Sequence, residues 1–391
     1  MKDTKRYGLR GVSASKSEVH DAIKHMSKGL YPKAFCKILP DLVAGDNAYC
    51  NIMHADTAGT KTSLAYLYWR ETGDLSVWAG VVQDAIVMNI DDMACTGCTE
   101  NIVISSTIGR NKSLIPAEVL KEVIQGSQTF MDKMAEQDIY LTLAGGETAD
   151  VGDIVRSIDV GITAFGRLKR SELITNDIID GDVIVGLSSC GQASYESSYN
   201  GGMGSNGLTS ARHDVFSKHY AKTYPESFDP HINDDLVYCG SKRLTDSISI
   251  ADGVETTIGK LVLSPTRTYM PIIKKMLAEY RSGIHGMIHC TGGAQTKVMK
   301  FVDGLRVIKD NLMDTPPLFQ LIESESGTTR KEMYEVFNMG HRLEVYCSKD
   351  VAEGLIKTAQ SFDVDAQIIG RVEAAKKNEL IIVDSQGTYT Y

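Results

Sequence analysis

The chain has 391 residues, of which 42% are hydrophobic and 23% charged, with a formal net charge of −9. That length exceeds the usual single core and points to two domains, while the composition excludes large-scale disorder. The acidic balance excludes a broad basic groove for nucleic acid but leaves phosphate ligands open, because backbone amides and a bound metal hold phosphates without net positive charge.

No apolar stretch approaches the roughly 20 residues that span a bilayer. The N-terminal MKDTKRYGLRGVSASKSEVHDAIKH lacks the apolar centre of a secretory signal. Eight cysteines lie between Cys36 and Cys347, and reduced thiols are expected in a chain of this kind. A cytoplasmic location without membrane contact is therefore the expectation.

In chain order, a helix is predicted around Ser17–Met26, then a strand at Tyr49–Ala55 that ends on Asp56. Val77–Met93 carries apolar residues at helical spacing, Glu100–Ile108 reads as a strand, and Pro116–Asp138 as an amphipathic helix. Strands follow at Ile139–Ala144, running into Gly145-Gly146, and at Ile154–Phe165. The polar, turn-rich Thr175–Asp182 marks a seam, giving domains at 1–174 and 175–391. Beyond it come a strand at Val183–Leu187, a Gly/Ser/Tyr loop over Ser188–Gly207, a helix over Asn206–Tyr220 and a less regular stretch over Pro225–Thr257. Helix Pro271–Arg281, strand Ile284–Cys290, strands Leu305–Lys309 and Leu343–Cys347, helix Val351–Phe362 and strand Ala366–Val372 complete the pattern. Intermixed strands and helices in both halves predict an α/β (α+β) architecture, and no short repeat period is present.

Several segments carry chemistry. In HADTAGTK (His54–Lys61) a strand delivers Asp56 into small residues whose amides can approach an anion, with Lys61 adding charge; it is not a Walker A loop. On its own it reads equally well as a tight turn with a surface lysine. Asp84, Asp91 and Asp92 bunch on the helix ending in NIDDM, where acids oppose the helix dipole, and they suit a hard cation. AGGETAD (Ala144–Asp150) places Glu147 after two glycines. GSNGLTSAR (Gly204–Arg212) offers Asn206 at a helix start. SPTRTY presents Arg267, and IHCTGGAQ places His289 before two glycines. Cys95 and Cys98 form a C-x-x-C without a second pair, which favours two small buried residues over a zinc site.

Taken together and in order, D-x-x-G-T-K, the Asp-rich helix end, G-G-E-T-A, S-N-G, P-T-R-x-Y, H-x-T-G-G and M-Y-x-x-F-N-x-G resemble the aminoimidazole ribonucleotide synthase (phosphoribosylformylglycinamidine cyclo-ligase) family along nearly the whole chain. The opening YGLRGVSASKSEVHDAI resembles that family's Y-x-x-x-G-V-x. The resemblance implies an N-terminal sheet domain that pairs with a second copy into a barrel, a C-terminal α/β domain, and an active-site cleft between them. It implies ATP and Mg²⁺ as cofactors, a nucleotide substrate and a homodimer. Asp56, Gly59, Thr60 and Lys61 would meet ATP phosphates, joined by Lys24, Asp84, Gly145, Gly146, Glu147 and Thr148. Asp56, Asp92 and Glu147 would hold the metal. Asn206, Arg267, Thr291, Gly292 and Asn338 would face the second substrate, and His289 and Lys61 would be catalytic, His289 as the mover of a proton.

The chain departs from the family pattern at identifiable places. D-G-V-G-T-K reads here with Thr57 and Ala58, the usual N-D-L reads Asp91-Asp92-Met93, an aspartate expected near Ser105 is absent, and the usual His before S-N-G is Gly204. These bear on the acceptor more than on ATP, so a relative with the same ATP site and another acceptor stays an alternative, as does, more remotely, a non-catalytic nucleotide-binding paralogue.

Overall fold

The computed structural model describes residues 5–13, 17–251 and 253–391. Two sheets organise the chain. In the N-terminal half, β1 (Ile38–Pro40), β2 (Tyr49–Thr57), β3 (Ile102–Arg110), β4 (Leu141–Asp150) and β5 (Ile158–Lys169) form one sheet in the order β1-β2-β5-β3-β4. All its neighbours are antiparallel except β3 and β4. That parallel pair needs a crossover, which the chain makes through a helix. The helices of this half are α1 (Ser17–Ile23), α2 (Lys61–Thr72), α3 (Val77–Ala94) and α4 (Ala117–Ala135).

Helix α3 is buried nearly all round. It lies on β2 and β5 on one side and against α4 on the other, and a helix so enclosed must be apolar on every face or pair its polar groups internally. The opposite face of this sheet is open. Met53 is 62% exposed, Val103 and Leu143 are also exposed, and β4 is exposed or half-exposed along its whole length. Gly146 lies so close to β3 that a Cβ there would stand 2.1 Å from the Ser106 hydroxyl. The close approach expected of this glycine pair is thus to a neighbouring strand.

In the C-terminal half, β6 (Val183–Ser188), β9 (Ile284–His289), β10 (Leu305–Lys309), β11 (His341–Cys347), β12 (Ala366–Ala374), β13 (Glu379–Asp384) and β14 (Gly387–Thr390) build a seven-stranded sheet, ordered β14-β13-β10-β12-β6-β11-β9. A separate hairpin joins β7 (Ser247–Ala251) to β8 (Val254–Thr257). The helices are α5 (Leu208–Val215), α6 (His219–Thr223), α7 (Ile258–Val262), α8 (Met270–Tyr280), α9 (Pro317–Ser326), α10 (Arg330–Val336) and α11 (Lys349–Gln360). The single helix expected over Asn206–Tyr220 is two, broken where Phe216 and Ser217 bridge to Lys242 and Gly240. The N-terminal residues Arg6 and Arg10 lie on this half, both bonded to Asp214 of α5. Among the described residues no helix is long and apolar enough to cross a membrane.

Candidate active site

The strand β2 runs out at Thr57, and the turn that follows leads into α2. Its one left-handed residue is Gly59, at φ 60°. Thr57 and Ala58 are not left-handed, which is why side chains are accepted where the family pattern has glycine and valine. The Asp56 carboxylate accepts from the Thr57 amide at 2.8 Å, and the Gly59 amide donates to the Thr57 hydroxyl. Helix α2 starts at Lys61 with no side-chain cap on Thr60. The Thr62 and Ser63 amides are taken by the Gly59 and Thr60 carbonyls, but no side chain caps the start, where the helix dipole favours an anion.

A second uncapped start faces it from the other domain. Helix α5 begins after Gly207, again with no side-chain cap. The hydroxyls of Thr60 and Thr209 meet at 2.9 Å, so the two helix ends adjoin across the gap between the sheets. Asn206, just ahead of α5, lies beside the H-x-T-G-G loop: a Cβ on Gly292 would be 3.5 Å from its Nδ2. Thr60 of the Asp56 turn, the S-N-G turn and the loop at Thr291-Gly292 are therefore neighbours where the two halves meet.

Other residues expected at the ligand are committed elsewhere. Lys61 donates to Asp84 Oδ1 at 2.8 Å and to the Ser264 carbonyl at 2.5 Å. Asp84 Oδ1 also accepts from the Thr266 amide and hydroxyl, both at 2.6 Å. Burial drives Lys61 down and Asp84 up from their ordinary pKa values, opposed by their mutual attraction. Lys61 is committed to these partners, Asp84 keeps Oδ2 without a partner, and the pair joins the domains. Asp91 does the same through Thr268 and the Tyr269 amide, and burial pushes its carboxyl up to about 7.

Asp92 is bridged by two imidazoles, His289 Nδ1 at 2.7 Å and His54 Nε2 at 3.3 Å. Burial raises its pKa, but Lys297, His289 and His54 outweigh that and hold it well below the ordinary carboxylate range. The metal role expected of Asp92 is thus taken by histidines. Glu147 does not join Asp56 either: β2 and β4 are separated by β5 and β3, about 14 Å across three strand spacings. Among the described residues no three His, Cys, Asp or Glu side chains converge as a metal nest.

His289 is fully buried with both ring nitrogens occupied, Nδ1 by Asp92 and Nε2 by Arg342 Nε at 3.3 Å. Burial first, opposed by Asp92, brings its pKa down to about 4. It is a neutral, pinned imidazole rather than the proton carrier the sequence suggested. Arg267 is chelated by Glu196 at 2.6 and 3.1 Å and donates to the Ser188 and Cys190 carbonyls. Asn338 is saturated by Ser189, Gly202 and Gly340. Both hold loops instead of facing a ligand. Thr291 accepts from Lys297 at 2.7 Å. Lys24 is exposed and lies 3.9 Å from Asp21. Gly145 is open at φ 96° on the exposed β4, and the Thr148 amide donates to Glu147.

Sequence reasoning missed His54, Thr209, Lys297 and Arg342. A signal existed for two of them. His54 continues the inward parity of Cys50 and Ile52 along β2, and Arg342 and Glu344 are charged residues in a strand buried throughout. Glu344 pairs with buried Lys309 and accepts from His341 and Tyr346, and Lys309 also donates to Gln295, whose amide holds the Asn338 and His341 carbonyls. This network fixes the base of the cleft loops.

The C-x-x-C thiols are buried and free. Burial pushes Cys98 up to about 12 and Cys95 well above its ordinary value, which fits inert packing.

These features define a two-domain α/β protein in which two helix starts suited to an anion adjoin where the domains meet. The AIR synthase related protein N-terminal domain matches residues 41–168 and the C-terminal domain matches residues 180–383, and the chain belongs to that family. Relatives include the phosphoribosylformylglycinamidine cyclo-ligase of Methanocaldococcus jannaschii, 28% identical over 83% of this chain and 78% of the relative. That of Methanococcus vannielii is 27% identical over 96% and 92%. Among solved structures, phosphoribosylformylglycinamidine synthase II of Thermotoga maritima has a TM-score of 0.56 at 10% identity, covering 99% of this chain and 50% of that one. A chain of a HypE–HypF complex has a TM-score of 0.53 at 13% identity, covering 95% and 97%. These last likenesses are of fold.

Proposed function

We propose that the protein closes the imidazole ring of formylglycinamidine ribonucleotide at the expense of ATP, releasing aminoimidazole ribonucleotide, ADP and phosphate. The observation that carries this reading is the meeting of two uncapped helix starts at Thr60 and Thr209. They give a place for the γ-phosphoryl group and for the oxygen that receives it. The names of the cyclo-ligase relatives, and the description of a similarly folded T. maritima PurL as complexed with ADP at a TM-score of 0.52, support the reaction and its nucleotide.

In the reaction, the formamide-type oxygen takes the γ-phosphoryl group and ADP leaves; a ring nitrogen then attacks the activated carbon, and phosphate departs with that oxygen. Positioning and charge neutralisation are the protein's share. The positive end of α2 at Thr60 and Lys61 attracts phosphate oxygens, and the turn of α5 with Asn206 and Thr291-Gly292 orients the acceptor. Lys61, Asp84, Asp91, Arg267 and Asn338 act at a distance, by fixing those turns. His289, neutral and enclosed, keeps Asp92 and Arg342 in place, so the ring-closure proton passes to water or to the leaving phosphate.

Magnesium keeps several waters and takes phosphate oxygens, so it needs only one or two protein carboxylates. Asp56 is exposed at the cleft and fits that requirement, with Asp159 close enough to feel its charge. The ion would supply charge neutralisation of the triphosphate.

The open face of the N-terminal sheet, with Met53, Val103 and Leu143 outward and β4 unpaired on one edge, supports pairing with a second copy as a closed barrel. The same reading places the enzyme in the cytoplasm with small-molecule substrates.

The test is incubation with formylglycinamidine ribonucleotide, ATP and Mg²⁺, reading aminoimidazole by its diazo colour and ADP separately. Both products are expected in equal amounts. ADP without aminoimidazole would assign another acceptor, and neither product would remove the enzyme reading. Asp56→Asn is expected to lower turnover about 10²- to 10³-fold, the scale of removing one preorganised charge contact, with the fold retained.

A further inference from the structure

Two of the buried polar atoms without a partner among the described residues belong to the S-N-G turn and to the side chain that packs against it. They are Arg342 Nη1 and Ser205 Oγ. The Arg342 stem passes 3.6 Å from where a Cβ on Gly204, the residue before Ser205, would stand. Arg342 is 1% exposed. Its Nε donates to His289 Nε2, its Nη2 to the Arg267 carbonyl, and its plane lies 5.3 Å over the Tyr269 ring.

What Arg342 lacks is an anion. Arg10 and Arg267, equally enclosed, each grip a carboxylate at 2.6 Å. Arg342 forms no ion pair with a carboxylate among the described residues, although Asp91 lies within its field. A buried guanidinium that keeps an unused N–H is costly, and such groups ordinarily find an acceptor or serve a ligand. The neighbouring hydroxyl of Ser205 is unused as well. Shortly beyond it α5 starts without a side-chain cap; the Ser210 and Ala211 amides are taken by the Gly207 carbonyl, so what the start offers is its Leu208 and Thr209 amides and the positive end of a helix dipole. Donors of independent origin thus belong to the short stretch Ser205–Leu208 and to the buried side chain packed against its approach.

We propose that Arg342, with the Ser205 hydroxyl and the first amides of α5, holds a phosphate-type oxyanion of the acceptor substrate. Charge and geometry both favour phosphate: guanidinium N–H groups match its oxygens, and a helix start is already a phosphate cradle. This rests on the function proposed above for the cleft, and it makes Arg342 a ligand-contacting residue of the acceptor half, separate from the ATP half at Asp56. His289 then has a second effect, since its Nε2 fixes the guanidinium by accepting from Nε.

Two measurements test it. First, binding of inorganic phosphate and of ribose 5-phosphate is measured by calorimetry on the wild type, Arg342→Met, Arg342→Lys and Ser205→Ala, without ATP. The wild type is expected to bind ribose 5-phosphate. Arg342→Met is expected to weaken that binding about 10- to 100-fold, the usual scale of one charged hydrogen bond, and Ser205→Ala several-fold. Arg342→Lys is expected to fall between, because an ammonium keeps the charge but loses the planar fork.

Second, kinetics with formylglycinamidine ribonucleotide should show KM for that substrate rising in Arg342→Met while KM for ATP changes less than twofold. Millimolar guanidinium should restore part of the activity of Arg342→Ala and none to the wild type. Phosphate and ribose 5-phosphate binding that is absent in the wild type, or unchanged in a folded Arg342→Met, overturns the proposal. A rise in KM for ATP instead of the acceptor also overturns it. Should Arg342→Met fail to fold, Ser205→Ala decides alone, and unaltered affinity there refutes the shared site. A wild type that binds ribose 5-phosphate yet makes no aminoimidazole would sink the proposed reaction while leaving the oxyanion site standing.

Discussion

Lys61 Nζ and Asp84 Oδ1 lie 2.8 Å apart with neither side chain open to solvent, and the same ammonium reaches the Ser264 carbonyl of the other domain. This pair links α2, α3 and the P-T-R-x-Y loop at one point. Breaking a buried pair by removing one partner strands the other, at about 3–5 kcal/mol. Lys61→Met and Asp84→Ala are each expected to lose stability on that scale in urea denaturation. The double change to apolar residues should recover part of it. Single variants as stable as the wild type would show that the pair does not hold the domains together.

Glu344 gives a pH test with a defined sign. Burial raises its carboxyl, but Lys309 and His341 outweigh that and bring it down to about 2, against about 4.3 in an unfolded chain. The folded state therefore holds the charged form more firmly, and the benefit, about 3 kcal/mol, is full above pH 4.3 and fades as pH falls toward 2. Glu344→Gln should be markedly less stable at neutral pH, and the gap between the two proteins should narrow through that acid window. A gap that stays constant would show that the charge of Glu344 is not what stabilises the network.

The open face of the N-terminal sheet makes a prediction about assembly. Val103→Lys or Met53→Glu puts a charge among outward apolar residues, and like charges would meet across a pseudo-closed barrel. Sedimentation should shift from a dimer to a monomer while circular dichroism is retained. A wild type that sediments as a monomer would remove the barrel pairing.

Thiol chemistry separates packing from function. Cys239 is exposed and Cys190 half-buried, while Cys36, Cys50, Cys95, Cys98, Cys290 and Cys347 are buried. An aromatic disulfide reagent should label Cys239 first and leave the C-x-x-C pair untouched until the protein unfolds. Rapid labelling of Cys95 or Cys98 in the native state would contradict their packing role.

The local patterns were legible in the sequence wherever burial has a simple period. Apolar runs announced β6, β9, β10 and β11, and the helical spacing over α3 and α4 was plain. The hairpin β7–β8 and the last strands β13 and β14 escaped because their short, partly exposed stretches carry weak alternation. The Asp56 turn and the S-N-G turn stood out only through the order of motifs along the chain, since each alone reads equally well as an ordinary turn or helix start. The carboxylates of α3 were misread for a physical reason. Acids grouped on a helix look alike whether they face a cation or the amides and hydroxyls of a loop, and Thr266, Thr268 and His289 lie some 180 to 200 positions further along the chain. The bonds that hold His289 and Lys61 were illegible for the same reason, because they depend on partners from the other half.

Helix α3 presents Asp84, Asp91 and Asp92 in succession, and each is fastened to the C-terminal half by buried bonds. A hinge between the halves would have to rupture all of them at once. The two halves are thus joined through one helix at three separate points, which resists any relative rotation of the sheets.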